Sequence, residues 1–129
     1  MAIVKKLLHT RMRVDDLERT VSFYKTILGL EEVERDQSPR GSKLVFLRTP
    51  GSEELLEITS FPASGPVKVQ PDLMHLAFEV ASLDEFEKHI AKHGVSLSDG
   101  PHTTNQGARI AFIDAPEGYE IELIEQPKE

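Results

Sequence analysis

Two histidines and two glutamates occupy matching places in the two halves of the chain. His9 and His75 are 66 positions apart, and Glu57 and Glu122 are 65 positions apart. Imidazole nitrogens and carboxylate oxygens suit Zn²⁺, Ni²⁺, Co²⁺, Fe²⁺ or Mn²⁺, and a carboxylate can also act as a general base. The 129-residue chain has no cysteine, which excludes disulfides, thiolate nucleophiles and thiolate metal ligands. Any metal site must therefore use His, Asp or Glu.

The matching positions belong to a duplicated unit. Further equivalent residues, each 66 positions apart, are Val14 and Val80, Leu17 and Leu83, Phe46 and Phe112, and Pro50 and Pro116. Their common order and element type predict an α+β fold of two tandem βαβββ modules with pseudo-twofold symmetry. We expect one domain, 1–129, made of modules 5–61 and 72–126 joined by a Pro-rich connector, 62–71.

Apolar periodicity and turn residues predict the elements of each module. In the first module, the predicted strands are 7–14, 31–35, 43–48 and 53–59. The predicted helix is capped at its start by Asp15 or Asp16 and ends at Gly29. Its buried stripe is Leu17, Val21, Tyr24 and Leu28. In the second module, the predicted strands are 73–80, about 95–97 and two within 107–125. The predicted helix begins at the capping box 82–85, ends at Gly94 and buries Leu83, Phe86 and Ile90. Residues 99–106 are predicted to form a polar loop.

Side chains alternate between the two faces of a strand, and this alternation places each histidine away from its own helix. His9, Arg11 and Arg13 oppose Leu8, Met12 and Val14, while His75, Ala77 and Glu79 oppose Met74, Leu76, Phe78 and Val80. Glu57 and Glu122 likewise oppose aliphatic neighbours. If the first and last strands of each module are adjacent, each module presents one His–Glu pair, and two pairs form a four-ligand metal site. The alternative is a polar outer face that contains two histidines without a metal.

The remaining histidines give weaker signals. His89 and His93 are four positions apart before Gly94, and we interpret them as side chains that complement the dipole at a helix end. His102 lies in the predicted polar loop, and its position indicates no function.

Charge and hydropathy exclude several classes of partner. The net charge is −7, and the 15 basic residues are scattered singly, which argues against a nucleic-acid partner. The N-terminal segment has only short apolar runs interrupted by charge, so we expect neither a secretory signal nor a membrane span, and cytoplasmic residence is the prediction.

The segments LLHTRMRVDDLERTVSFYKTILGL, EELLEIT, MHLAFEV and DAPEGYEIELIE together resemble the glyoxalase I enzymes, or lactoylglutathione lyases, of the vicinal oxygen chelate superfamily. The resemblance runs from Leu7 to Gln126. It implies a homodimer with one divalent metal ion per site, Ni²⁺, Co²⁺ or Zn²⁺, and His9, Glu57, His75 and Glu122 as its ligands.

The same resemblance implies the detoxification of methylglyoxal. The substrate would be the hemithioacetal of methylglyoxal and a thiol, which isomerises through an enediolate to a lactoyl thioester. Glu122 would remove the proton from the carbon that bears the hydroxyl, Glu57 would hold the metal and serve the opposite stereoisomer, and Arg13 would bind a substrate carboxylate.

Two positions depart from the glutathione-dependent pattern. Phe61 stands where an asparagine would contact glutathione, and His102 and Thr103 stand where a lysine is expected. The thiol is therefore predicted to be glutathione or another carrier.

Four alternatives share the fold. A methylmalonyl-CoA epimerase would usually have glutamine at the position of Glu57. Dioxygenases and fosfomycin-resistance transferases use two histidines and one glutamate. A non-catalytic small-molecule-binding module commonly lacks the four ligands.

Overall fold

The structure, a computed structural model, describes residues 3–128. The chain divides into two compact units, Met1–Val67 and Lys68–Glu129, with the boundary inside the predicted connector. Unit 1 contains β1 (His9–Val14), α1 (Leu17–Ile27), β2 (Glu31–Gln37), β3 (Lys43–Arg48) and β4 (Leu55–Ser60). Unit 2 contains β5 (His75–Glu79), α2 (Leu83–Ala91), β6 (Asp99–Thr103), β7 (Arg109–Asp114) and β8 (Glu120–Glu125). The predicted βαβββ order is confirmed in both units.

In unit 1, a four-stranded sheet with the order β1-β4-β3-β2 packs against α1. The β1–β4 pair is parallel, and the other pairs are antiparallel. Asp16 caps the helix by accepting a hydrogen bond from the Arg19 backbone N–H at 3.1 Å. The helix and the sheet bury one apolar face each. The buried face of the helix consists of Leu17, Val21, Tyr24 and Ile27. The buried face of the sheet consists of Met12, Val14, Val45, Leu47, Leu56 and Ile58.

Unit 2 repeats this arrangement with the sheet order β5-β8-β7-β6 and a parallel β5–β8 pair. The Ser82 hydroxyl caps α2 by accepting from the Glu85 backbone N–H at 3.2 Å. The core contains Leu83, Ile90, Ala111, Ile113, Ile121 and Leu123. Because the first and last strands are adjacent in each sheet, the condition for a His–Glu pair in each module is met.

The third strand of the second module was predicted in the wrong place. Residues 95–97 are not a strand, and β6 lies at Asp99–Thr103, inside the predicted polar loop. Gly100 and Pro101 are typical of turns, but an edge strand tolerates a proline because one of its sides needs no hydrogen bonds. Pairing with β7 is irregular between Asp99 and His102, and a Cβ on Gly100 would lie 2.8 Å from the Ile110 carbonyl oxygen. The close backbone approach requires glycine here.

Three predictions about buried side chains were also wrong, and one of them is Phe86, which is only half-buried on α2. Leu8 is 63% exposed because β1 begins only at His9. At the end of α1, Ile27 is buried and Leu28 is only half-buried, because Leu28 is the C-cap residue and leaves the helical stripe.

Within residues 3–128, neither helix is long and apolar enough to cross a membrane.

Candidate metal centre

The first His–Glu pair lies on β1 and β4. In the parallel register, Arg11 is directly opposite Glu57, so His9 is one same-face position away along β1. The His9 Nε2 atom lies 3.3 Å from Glu57 Oε1. The imidazole is 43% exposed, whereas the glutamate side chain is only 10% exposed. A buried carboxylate thus faces a nitrogen that solvent can reach.

The second pair has the same construction on β5 and β8. Ala77 is opposite Glu122, and His75 precedes it by one same-face position. The His75 Nε2 atom lies 3.0 Å from Glu122 Oε1, and the side chains are 44% and 16% exposed. The structure therefore places one histidine beside one glutamate in each module.

The donor atoms of each pair are spaced as neighbouring ligands of one ion would be. Two ligands at right angles on an ion with bonds of about 2.1 Å are about 3 Å apart. The observed separations are 3.3 and 3.0 Å, which are also hydrogen-bond lengths for a metal-free pair. Within residues 3–128, no group of three or more potential metal ligands is assembled. Each unit by itself provides two ligands, one nitrogen and one oxygen, and this donor set suits a divalent transition metal.

An aromatic ring accompanies each histidine. The ring centroids of His9 and Phe46 are 5.4 Å apart at 70°, and those of His75 and Phe112 are 5.7 Å apart at 87°. Each phenylalanine is the cross-strand neighbour of the glutamate of its pair. The edge-to-face contact restricts the imidazole orientation, so the repeated cluster is His–Glu–Phe.

The two carboxylates differ in their other partners. Glu57 Oε2 accepts a hydrogen bond from the Thr59 hydroxyl at 2.6 Å and lies 3.6 Å from Arg11 Nε. At the equivalent positions, unit 2 has Ala77 and Ile124, which cannot donate. Among the described residues, His75 is the only side chain that bonds Glu122. Besides its histidine, Glu57 therefore has one hydroxyl hydrogen bond and one guanidinium ion pair, whereas Glu122 has neither among the described residues.

The other predicted positions lie outside the pairs. Arg13 donates from Nη1 to the Gly65 carbonyl at 2.7 Å. Phe61 is half-buried directly after β4. The His102 ring nitrogen lies 2.8 Å from Asp99 Oδ1, and this hydrogen bond holds the pKa of Asp99 below its ordinary value. His89 and His93 contact each other at the end of α2, with ring centroids 5.3 Å apart.

Sequence reasoning missed the residues that support the pairs. Arg11 follows His9 by two positions, and Thr59 follows Glu57 by two. Spacing of two on adjacent strands places all four side chains on one face, and a hydroxyl or guanidinium beside a carboxylate is a recognisable signal. Phe46 and Phe112 were visible only as equivalent positions in the duplication.

The sequence model of the Glyoxalase/Bleomycin resistance protein/Dioxygenase superfamily matches residues 6–123. The chain belongs to this superfamily. A lactoylglutathione lyase of Escherichia coli O157:H7 is 31% identical over 125 residues, which are 94% of this chain and 93% of that protein. The glyoxalase I of Leishmania major, described as trypanothione-dependent, superposes with a TM-score of 0.77 at 30% identity, over 95% of this chain and 87% of that one. These similarities confirm the resemblance and the fold class predicted from the sequence.

The same fold also occurs in proteins of other kinds. TnmS3 from Streptomyces sp. CB03234, an antibiotic binding protein, superposes with a TM-score of 0.79 at 22% identity, over 99% of this chain and 100% of that one. At this identity the similarity concerns the fold alone.

Proposed function

We propose that the protein is a metal-dependent lyase of the glyoxalase I type. It would convert the hemithioacetal of methylglyoxal and a thiol to a lactoyl thioester. The observation that carries this proposal is the duplicated His–Glu pair, whose nitrogen–oxygen distances of 3.3 and 3.0 Å fit adjacent ligands of one ion. Relatives named lactoylglutathione lyase, 31% identical over almost the whole chain, support it.

The proposed metal ligands are His9, Glu57, His75 and Glu122. One ion with four protein ligands would bind both pairs. An octahedral ion would then have two further coordination positions for water or substrate. The proposed metal is Ni²⁺, Co²⁺ or Zn²⁺, and when bound it would act as a Lewis acid that stabilises negative charge on the substrate oxygens.

The proposed general base is Glu122. Thr59 and Arg11 hold the second oxygen of Glu57, which favours a fixed ligand role for this carboxylate. Glu122 has no equivalent donors among the described residues, so its carboxylate can rotate at less cost toward the substrate. Glu122 would take the proton from the hydroxyl-bearing carbon and return it to the neighbouring carbonyl carbon, while Glu57 would serve the opposite stereoisomer.

We also propose a cytoplasmic homodimer. Four aliphatic side chains near the N-terminus are exposed, namely Ile3, Val4, Leu7 and Leu8. An apolar segment of this kind is typical of a surface that a second copy covers.

The test combines metal analysis with a thioester assay. Mass spectrometry should find a divalent metal in the wild type, less in Glu57→Gln, and none in the His9→Ala/His75→Ala double variant. Ultraviolet absorbance should show thioester from methylglyoxal and a thiol, and Glu122→Gln should lower kcat by about 10²- to 10⁴-fold because an amide cannot accept the proton.

The matched control is Glu87→Gln, which makes the same chemical change on the exposed side of α2 and should leave kcat unchanged. Metal-free wild-type protein, or full metal retention in the double variant, would contradict the site. Tightly bound metal without thioester formation from any thiol would favour an epimerase or a binding module instead.

A further inference from the structure

Two histidines outside the candidate metal centre, His89 and His93, lie side by side at the C-terminal end of α2. His89 is in the last turn of the helix, and His93 directly follows the C-cap residue Lys92. The Lys92 and His93 backbone N–H groups donate to the His89 and Ile90 carbonyls at 3.2 and 2.9 Å, so hydrogen bonds close the turn that carries both side chains. Both histidines are exposed. Because residues four positions apart on a helix lie on one face, the two imidazoles project from the same side, and we refer to them as the α2 histidine pair.

The separation of the two rings fits a shared metal ion. Their centroids are 5.3 Å apart, and their planes are inclined by 67°. An imidazole that binds an ion at about 2.1 Å has its centroid about 3.2 Å from that ion, so two such rings have centroids about 4.5–5.3 Å apart for bond angles of about 90–110°. The observed distance lies at the tetrahedral end of this range. The backbone thus already places the two rings at the separation that one shared ion requires.

A metal ion explains the pair better than the helix dipole alone. A single imidazolium cation would complement the dipole at the end of α2, but two imidazolium cations this close repel each other. A divalent cation bound by two neutral imidazoles brings positive charge to the same helix end without that repulsion. The dipole therefore favours the bound ion, and the proximity of the second histidine supplies its second ligand.

The charged neighbours on α2 permit a cation at this place. Lys88 and Lys92 each precede a histidine by one position, so each lies about 100° around the helix from it. Glu85 precedes His89 by four positions and therefore lies on the face of the pair. The Lys88 Nζ atom lies 3.4 Å from Glu85 Oε1, which partly compensates the lysine charge.

The sheet of unit 2 separates the α2 histidine pair from the His75–Glu122 pair. Leu83 and Ile90 are buried on the side of α2 that packs against β7 and β8. Ile121 and Leu123 are buried on the helix side of β8, and the alternation along the strand places Glu122 on the other side. An ion at the α2 histidine pair is therefore independent of the proposed lyase chemistry.

We propose that His89 and His93 bind one divalent ion of the Cu²⁺, Ni²⁺ or Zn²⁺ class, with water at the remaining coordination positions. Imidazole suits these ions, and Cu²⁺ should bind most tightly because it leads the usual order of affinities. The ion joins the last turn of α2 to the residue beyond its C-cap, so it fixes the end of the helix and stabilises the folded state. Two protein ligands hold an ion less tightly than four, and we expect buffer exchange during purification to remove it.

The test is isothermal titration calorimetry with Cu²⁺ on the untagged full chain carrying His9→Ala and His75→Ala, in which three of the five histidines remain. We expect one Cu²⁺ per chain. His89→Gln and His93→Gln should each weaken its binding by about 10²-fold or more, because either change removes the chelate. Saturating Cu²⁺ should also raise Tm, measured by circular dichroism, and either variant should lose this increase. Without the two alanine substitutions, His89→Gln/His93→Gln should bind one Cu²⁺ fewer per chain than the wild type.

Two controls separate a chelate from independent histidines. His102→Gln removes the third remaining histidine and should change neither the affinity nor the increase in Tm. Ala91→His/His93→Ala keeps two histidines at exposed positions but places them two residues apart, where side chains do not face each other, and it should bind Cu²⁺ as weakly as His93→Gln. Unchanged binding in His89→Gln or His93→Gln, an equal loss in His102→Gln, or full binding by the spacing variant would overturn the inference.

Discussion

Replacing Thr59 by valine tests whether the Thr59 hydroxyl holds Glu57 in place. The hydroxyl donates to Glu57 Oε2 at 2.6 Å, and both residues are buried, with 0% and 7% exposure. Valine keeps the shape of the side chain and removes the donor. A hydrogen bond to a charged group contributes about 1.5–3 kcal/mol, and we expect this decrease in the free energy of unfolding.

The assay is urea denaturation at pH 7 in the presence of a chelator, so that metal binding does not contribute. Thr59→Ser is the matched control, because it keeps the hydroxyl and loses only a methyl group. For a chain of 129 residues, the predicted loss in Thr59→Val corresponds to a fall in Tm of roughly 5–12 °C. If Glu57 is a metal ligand, Thr59→Val should also weaken metal binding by about 10- to 100-fold, since residues that orient a ligand contribute this much.

Two results would refute this reasoning. Equal stability of Thr59→Val and the wild type would show that the hydroxyl bond contributes nothing. Lower stability with unchanged metal affinity would show that Thr59 supports the fold but does not position the Glu57 carboxylate as a ligand.

Two further predictions concern the metal and the surface charges. If one ion binds both His–Glu pairs, as proposed, titration of the chelator-treated His89→Gln/His93→Gln variant with Ni²⁺ or Zn²⁺ should saturate at one ion per chain; two ions per chain would show that each pair acts alone. Arg35 hydrogen-bonds Glu18 at 2.6 Å and Glu32 at 2.7 Å and so lowers the pKa of both carboxylates from 4.5. A carboxyl group whose pKa is lowered in the folded state stabilises the fold above pH 4.5. This stabilisation is lost as the pH falls through the lowered pKa. Arg35→Gln should therefore lower Tm at pH 7, and the difference from wild type should shrink below pH 4.5, as followed by circular dichroism; a difference independent of pH would contradict it.

Patterns within single elements predicted most of the fold. The spacing of Leu17, Val21 and Tyr24 predicted α1, and β3 lies at the predicted residues. These predictions succeed because periodicity depends only on which side of a helix or strand is buried. The edge strand β6 was missed because its Gly-Pro sequence is typical of a turn, and only pairing with β7 makes it a strand.

The sequence by itself determined the four candidate ligands, since the duplication and the alternation of side chains along strands require no knowledge of distances. The tertiary structure decided what surrounds each of them. The register of β1 against β4 places Arg11 and Thr59 beside Glu57, whereas the same register in unit 2 places Ala77 and Ile124 beside Glu122. Strand register is set by pairing between residues distant in sequence, and such pairing leaves no local pattern in the chain.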